Sequence, residues 1–207
     1  MGKGFKEEDI IIDEYLTVSK KATSELKVQR SLFIGTTAPI ESEEAAKDFI
    51  SQIQGKYKDA THNCYAYIVN TDSENVEYYS DAGEPSGSAG RPILNAIKSK
   101  DITNVIIVVT RYFGGKKLGI RGLIDAYGAT ALSVIEEAGI TKRVIEEEVY
   151  LTCDYKVLDK AMYYLSQHQG KVIESDYSDE VHLKVRVRKA TLPTLTQTLA
   201  SLGIKLE

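Results

Sequence analysis

The chain has 207 residues, of which 43% are hydrophobic and 27% are charged, and its formal net charge at pH 7 is −4. This is an ordinary globular composition, and the length allows one large or two small hydrophobic cores. The acidic balance excludes a generally basic nucleic-acid-binding protein, although a local basic patch can coexist with it.

The two cysteines and the apolar segments indicate the cellular setting. Cys64 and Cys153 are far apart and form no C-x-x-C motif, which favours a reduced intracellular protein over a secreted one. No apolar run is long enough to span a membrane, and the first residues, MGKGFKEED, lack the apolar core of a signal peptide. We therefore expect a cytoplasmic protein with no membrane partner.

The first elements follow from apolar alternation. Strands are expected over Tyr15–Ala22 and Ser31–Thr37, with Glu25–Arg30 between them as a connection or a short added strand. Ser42 is expected to open a helix that ends at Gly55. The inward face of this helix would comprise Ala45, Ala46, Phe49, Ile50 and Ile53.

A hairpin is expected next, from Cys64–Val69 and Val76–Ser80, joined by the turn formers of Asn70–Asn75. Four tyrosines lie on its strands: Tyr65, Tyr67, Tyr78 and Tyr79. Tyrosines commonly fill half-buried sheet positions, and they can also stack on nucleobases. We favour packing, because aromatic residues are generally favoured on strands.

His62 and Cys64 are two residues apart on the first strand of this hairpin, so they could face one metal ion. Only Asp81 and Glu84 are plausible further ligands, so we expect a hydrogen-bonded histidine, a buried cysteine and no metal. A cysteine nucleophile would lack an orienting group and oxyanion donors, and Glu84 and Asp81 could act as acid and base only if burial separated their pKa values. The sequence thus predicts no catalytic residue.

The turn GEPSGSAG at 83–90 precedes the second predicted helix. It holds three glycines that can take positive φ and two serines that can cap a helix: Gly83, Gly87, Gly90, Ser86 and Ser88. Proline is tolerated only in a first helical turn, so the helix should begin between Ser88 and Pro92. Its free N–H groups and positive dipole end would form a seat for an anion.

A buried strand over Val105–Thr110 then delivers Arg111 to a second glycine turn, Gly114–Gly115, which is followed by Lys116–Lys117. The next helix would pack on the sheet through Leu123, Ala126, Tyr127, Thr130, Ala131, Val134, Ile135 and Ala138. Neither glycine turn matches a Walker A or a G-x-G-x-x-G motif, so no nucleotide cofactor is indicated.

Both turns could converge on a phosphate or carboxylate, which the planar fork of arginine suits. The expected anion site comprises Glu84, Ser86, Gly87, Ser88, Gly90, Arg91, Arg111, Gly114, Gly115, Lys116 and Lys117. The alternative is a salt-bridged surface in which Asp81, Glu84 and Asp125 are the acidic partners. Convergence itself is not visible in a sequence.

Three blocks in this order, ATHNCYAY, EPSGSAGRPIL and VVTRYFGGKKLG, resemble the signature of the IMPACT / YigZ-like family. The resemblance spans roughly residues 11–138, and the remainder resembles the smaller C-terminal domain of bacterial members. Many relatives read nearer to LG-x-GGL-[VI]-RAY after the second turn, where this chain has Arg121 and Asp125.

This resemblance implies a ribosomal S5 domain 2-like fold for the first domain, a fold shared by RNA-binding proteins and some small-molecule kinases. It implies a ferredoxin-like second domain, similar to the C-terminal domain of translocating elongation factors. Eukaryotic members act in translational control by binding a partner protein that activates an initiation-factor kinase. A shared fold does not by itself fix function.

The composition changes after Gly139, and we expect Lys142–Glu148 to be a connection between domains 1–141 and 142–207. A βαββα order follows, with strands at Val149–Cys153, Lys171–Tyr177 and Val181–Arg188. The two helices would point inward through Leu158, Ala161, Met162 and Leu165 and through Leu192, Leu195, Leu199 and Leu202. Helices on one face of an antiparallel sheet make an α+β domain.

Four basic side chains recur at period two on the last of these strands: His182, Lys184, Arg186 and Arg188. They share one face of the strand Val181–Arg188, which is numbered β10 below, and we call them the β10 row. The other face is apolar, so the row should face solvent. Such a row is either an ordinary solvated face or a docking surface for RNA or an acidic protein.

Taken together, these features predict a non-enzymatic binding or regulatory protein associated with translation, which contacts RNA, the ribosome or a translation-linked protein. The alternative is a phosphate- or nucleotide-handling enzyme that uses the glycine-rich anion site.

Overall fold

The computed structural model describes residues 13–70 and 75–206 and divides the chain into two compact units. The first unit is Tyr15–Arg143. The second begins at Val144 and includes the segment that ends at Glu14. Within the described ranges, no helix is both long and apolar enough to cross a membrane.

The first unit is built on a five-stranded antiparallel sheet. Its elements are β1 (Glu14–Val18), β2 (Ala22–Val28), β3 (Ser31–Pro39), α1 (Glu43–Lys56), β4 (His62–Asn70), β5 (Asn75–Ser80), α2 (Gly90–Ser99), β6 (Val105–Tyr112), α3 (Gly119–Ala138) and β7 (Ile140–Val144). The order in the sheet is β2-β3-β6-β4-β5, and β1 pairs with β7 in a separate ribbon.

Helices cover both faces of this sheet, which explains why β6 is apolar throughout. Val105, Ile107 and Val109 lie in one core with α2 and α3, whereas Ile106 and Val108 lie in a second core with α1. Every residue predicted for the inward face of α3 is buried, so the predicted helix is confirmed. Arg111 and Tyr112 are therefore the last two residues of a strand that is packed on both faces.

Two predicted boundaries in this unit are wrong. The strand expected over Tyr15–Ala22 ends at Val18. The segment Glu25–Arg30 was expected to be a connection or a short added strand, and β2 shows that much of it is strand. Helix α1 begins after the predicted cap, Ser42, but continues past Gly55 to Lys56. Gly55 has no positive φ, so it supplies no helix stop.

The second unit has the predicted βαββα order with one short strand added. Its elements are β8 (Glu146–Cys153), α4 (Tyr155–Gln167), β9 (Lys171–Tyr177), β10 (Val181–Arg188), α5 (Leu192–Ala200) and β11 (Lys205–Leu206). The antiparallel order β11-β8-β10-β9 is the ferredoxin-like arrangement. The predicted fold class, two-domain α+β, is confirmed.

Two expectations for this unit are corrected. The charged passage Lys142–Glu148 is largely strand rather than connection, because in β8 Glu146 and Glu148 occupy exposed positions of an alternating pattern. Met162, expected to point inward, is 42% exposed, while Ala161 and Leu165 carry the buried face of α4.

Asp13 ties the segment that ends at Glu14 to the second unit. Its carboxylate accepts hydrogen bonds from the Arg188 guanidinium at 2.6 and 2.8 Å and from the Ala190 N–H at 3.0 Å. Arg188 also donates to the Glu14 carboxylate at 2.8 Å. The pKa of the Asp13 carboxyl is held below its usual value, mainly by the hydrogen bonds from Arg188.

Candidate functional site

The N-terminus of α2 is occupied by a carboxylate of the protein itself. Asp81 accepts hydrogen bonds from the N–H groups of Gly87, Ala89 and Gly90 at 2.8 to 2.9 Å. The prediction that Ser86 and Ser88 cap this helix is wrong: the cap position is Ala89, and the Ser88 hydroxyl donates to a carbonyl at 2.6 Å. An external anion at this helix stays a prediction, and it would have to displace Asp81.

Two of the predicted anion-site glycines are required by close backbone packing. A Cβ on Gly90 would lie 2.7 Å from the backbone of Ser80, and one on Gly114 would overlap the backbone of Arg30. Gly87, by contrast, has a φ of 74° and open space around it. The sequence pattern does not distinguish these reasons, because the close approaches involve residues distant along the chain.

Beside α2 lies a buried ion pair between Arg111 and Glu84. The guanidinium Nη1 is 2.6 Å from Glu84 Oε1, and the two side chains are only 6% and 4% exposed. The Tyr127 hydroxyl donates to the same carboxylate oxygen at 2.9 Å, and Arg111 Nη2 donates to the Ser31 hydroxyl at 3.3 Å. Arg111 and Glu84 thus neutralise each other. The salt-bridged alternative named Glu84 as an acidic partner but expected a surface, whereas this pair is buried.

The Arg111 guanidinium lies between two aromatic rings. Its carbon is 5.4 Å from the centroid of Phe33 and 5.3 Å from that of Phe113, within the range of cation–π attraction. Phe33 is buried, whereas Phe113 is 44% exposed. The Nε–H group of Arg111 is buried, and none of the described residues accepts a hydrogen bond from it.

His62 is hydrogen-bonded and Cys64 is buried, as the sequence predicted. The Cys64 sulfur lies 2.9 Å from the carbonyl oxygen of Asp81 and 3.3 Å from the Tyr127 hydroxyl. Burial raises the pKa of the Cys64 thiol to about 12, and burial also raises the pKa of Tyr127 well above its usual value. His62 Nδ1 is 2.9 Å from the carbonyl of Ala82; because a carbonyl only accepts, this ring nitrogen carries the proton.

A pocket of about 390 Å³ opens next to the ion pair, and we call it the Arg111 pocket. Among the predicted anion-site residues it brings together Glu84, Arg111 and Lys117. Its apolar lining comes chiefly from Phe113, Leu118, Ile120 and Leu123. The remaining predicted residues, including the exposed Arg91 and Lys116, do not line it.

The sequence reasoning missed the apolar part of this pocket. Phe113 and Ile120 are 44% and 62% exposed, although each stands in or next to a glycine-rich turn. Large apolar side chains in such a turn are the signal that could have indicated a pocket rim.

Two family models divide the chain as the fold does. Residues 29–135 match the Impact N-terminal domain, and residues 151–203 match a domain of unknown function, DUF1949. The chain belongs to the IMPACT family. It is 32% identical over 192 residues to IMPACT family member YvyE of Bacillus subtilis, an alignment that covers 93% of this chain and 88% of that protein.

Further relatives cover the same length. IMPACT family member YigZ of Escherichia coli is 30% identical over 91% of this chain and 93% of its own length. A crystal structure of a hypothetical protein, 30% identical in sequence, superposes with a TM-score of 0.71 and covers 95% of this chain and 97% of that one. The two-unit architecture is therefore shared with a solved relative.

Arg121 and Asp125, which the sequence resemblance suggested as departures from the family pattern, lie outside the Arg111 pocket. Arg121 and Asp125 form an exposed ion pair at 3.1 Å, four residues apart on α3. Neither residue lines the pocket.

The tyrosines of the β4–β5 hairpin differ in burial: some are packed and others are exposed. Tyr67 is buried and stacks on Tyr78 with 5.6 Å between ring centroids, and Tyr65 also stacks on Tyr78, at 6.2 Å. Tyr78 and Tyr79 are 50% and 43% exposed. The prediction that these tyrosines pack in the sheet therefore holds fully for Tyr67 and only in part for Tyr78 and Tyr79.

The β10 row lies on the open face of the second unit, as its alternation predicted, but its charge is compensated. Glu148 on β8 accepts from Lys184 at 3.0 Å and from Arg186 at 2.6 Å, and these contacts lower the pKa of Glu148. Arg188 is paired with Asp13. His182 Nδ1 is 3.0 Å from the hydroxyl of Thr152, its cross-strand neighbour.

Proposed function

We propose that this IMPACT-family chain is a non-enzymatic binding protein with a regulatory role in translation, which contacts the ribosome, its RNA or a translation-linked protein. Family membership supports the role, because the resemblance implies translational control by partner binding in eukaryotic members. A cytoplasmic location is part of the same proposal.

The contact surface we favour is the turn at Lys116–Lys117, which we call the lysine turn. Both side chains are exposed, and among the described residues neither takes part in an ion pair. The cations of the β10 row, by contrast, already have carboxylate partners. A phosphate or an acidic side chain would meet less competition at the lysine turn, and this observation carries the proposal.

The chemistry of the Arg111 pocket favours binding over catalysis. The Cys64 thiol and the Tyr127 hydroxyl keep their protons at neutral pH, and Glu84 is held by Arg111. A nucleophile needs an adjacent base or a lowered pKa. Burial raises both pKa values instead, and the Glu84 carboxylate that accepts from Tyr127 is also paired with Arg111. The enzyme alternative loses support in addition because Asp81 occupies the N-terminus of α2.

Co-sedimentation of the purified chain with Escherichia coli ribosomes tests this proposal. We expect retention at low KCl that is lost at high KCl, and a Lys116→Gln/Lys117→Gln variant should be retained poorly even at low KCl. Lys20→Gln/Lys21→Gln is a matched control, since it removes two adjacent exposed lysines elsewhere in the same unit. Equal loss in both variants, or no retention of the wild type, would overturn the proposal.

A further inference from the structure

Strand β9 forms one edge of the sheet in the second unit. It pairs with β10 on one side, and among the described residues no strand pairs with its other side. All seven of its residues are exposed. Such an edge presents unpaired N–H and C=O groups, to which another strand can add.

Apolar side chains are exposed along this edge on the face that carries the helices. Residues directly opposite each other in an antiparallel pair share a face, and Val172 and Tyr177 lie opposite buried valines of β10. Val172 and Tyr177 are nevertheless 38% and 59% exposed, so the helices leave this edge open. Tyr155 of α4 is also exposed, and its hydroxyl donates to the carbonyl of Ser178, just after β9, at 2.9 Å. An exposed apolar surface beside an open edge is typical of an interaction site.

The side chains of β9 divide into two sets. Three charged residues lie opposite the β10 row and so on the open face of the sheet: Lys171, Glu174 and Asp176. Three others lie on the helix-bearing face: Val172, Ser175 and Tyr177. Ile173 is the extra residue of a bulge, where the register with β10 shifts. Charges and bulges usually protect an edge from added strands, so only a strand with matching charges is expected to pair here.

A second copy of β9, added antiparallel, matches this edge when Lys171 lies opposite the partner's Asp176. Val172 then lies opposite the partner's Ser175, so residues of the same set meet along the whole strand. Because the arrangement has two-fold symmetry, the pair of opposite charges forms twice. A shift by one residue brings the two sets opposite each other, and a shift by two either does the same or leaves only a short pairing of Lys171 with Glu174.

Gly170, just before β9, gives independent support for this register. It would lie opposite the partner's Tyr177, which belongs to the helix-bearing face. A Cβ on Gly170 would point to the same face, since it would meet Leu165 at 3.1 Å and Val187 at 3.5 Å. The missing side chain leaves room for an aromatic ring to extend across from the opposite strand.

We propose that the chain forms a two-fold homodimer in which β9 pairs antiparallel with β9 of a second copy. The four-stranded sheets of the two copies then form one continuous sheet. Lys171 Nζ lies 3.8 Å from a Glu146 carboxylate oxygen of its own protomer, but its side chain is 72% exposed and remains accessible to the partner. This goes beyond the proposed function, because it concerns self-association of the second unit and not the lysine turn of the first.

Sedimentation velocity of the full chain from about 10 µM to about 1 mM tests the proposal. A short strand edge buries less surface than a standard interface, so we expect a reversible dimer with a Kd on the order of 10–100 µM. A chain that stays monomeric up to about 1 mM would overturn the proposal.

Charge exchange tests the register. Lys171→Glu and Asp176→Lys each place like charges opposite each other twice in the dimer, so each should weaken it about tenfold. Lys171→Glu/Asp176→Lys restores opposite charges and should return the Kd to within about threefold of the wild type. Asp179→Lys is the matched control: it makes the same charge change in the exposed turn beyond β9 and should change the Kd by no more than about twofold.

The four exposed-site variants are expected to fold, because changes of exposed charge move stability little. A double variant as weak as the single variants would contradict this register. Amide hydrogen exchange locates the interface: protection that rises with concentration should appear at β9, and protection confined to other elements would overturn the proposal. Ribosome retention by a strictly monomeric chain would contradict the dimer and leave the translational role standing.

Discussion

At the scale of single residues, Arg111 and Glu84 place two opposite charges in the interior of the first unit. Both side chains are buried, and the carboxylate also accepts from Tyr127. A buried ion pair is weak evidence of net stabilisation, because desolvation of two charges can offset their attraction. Removing one partner is different, since it leaves the other charge buried and unpaired.

Glu84→Gln should therefore lower the free energy of unfolding by about 3–5 kcal/mol. Glu77→Gln is the matched control: it breaks the exposed pair with Lys98, whose 2.8 Å contact is exposed to solvent, and should cost no more than about 1 kcal/mol. Urea unfolding of the three proteins gives both values. Equal, small losses would mean that Arg111 finds solvent or another acceptor when Glu84 is neutralised.

At the scale of elements, Asp81 joins the end of β5 to the start of α2. One carboxylate bonds three backbone N–H groups that would otherwise be unsatisfied or would bind an external anion. The turn that the glycines and serines marked as an anion site does contain a cluster of backbone N–H donors. In the folded protein the acceptor for these donors is the Asp81 carboxylate.

Asp81→Ala should lower the unfolding free energy by about 1–2 kcal/mol, because it removes a helix cap. It should also free the donor cluster, so that sulfate raises the melting temperature of the variant more than that of the wild type. Thermal unfolding with and without sulfate at constant ionic strength measures both. An identical sulfate effect in the two proteins would show that the donor cluster does not take an external anion.

Elements whose residues interact locally could be predicted from the sequence. Helix α3 and strand β10 follow from periodicity, because burial on one side sets the pattern. The sequence could not show why positions 90 and 114 require glycine, since the backbones of Ser80 and Arg30 approach Gly90 and Gly114 only through tertiary packing. The compensation of the β10 row was equally hidden: the register that sets Glu148 beside Arg186 exists only in the folded sheet.

At the scale of the whole molecule, the contact cluster at Asp13 gives the second unit an acid-sensitive support. The pKa of Asp13 in the folded protein lies below its ordinary value of 3.8, with Arg188 as the main cause. A depressed carboxyl pKa contributes stability that is fully present above the unfolded value and is lost as pH falls through the folded one. The loss should therefore fall below about pH 4.

Asp13→Asn should lower the unfolding free energy by about 1.5–3 kcal/mol at pH 7, the range for hydrogen bonds to charged groups. The difference from the wild type should shrink as the solution is acidified below about pH 4, because the wild-type carboxyl is then protonated as well. Urea unfolding at several pH values, with a probe in the second unit, gives this difference. A gap that stays constant through the acid range would exclude Asp13 ionisation as its source.

The salt dependence of ribosome binding tests the central claim, that the lysine turn and not the β10 row makes the electrostatic contact. The slope of log affinity against log KCl should be flatter by about 1.4–1.8 in Lys116→Gln/Lys117→Gln, at roughly 0.7–0.9 per lost phosphate contact. It should be unchanged in Lys184→Gln/Arg186→Gln, whose cations already pair with Glu148. A flatter slope in the β10 variant, with the lysine-turn variant equal to the wild type, would contradict the account.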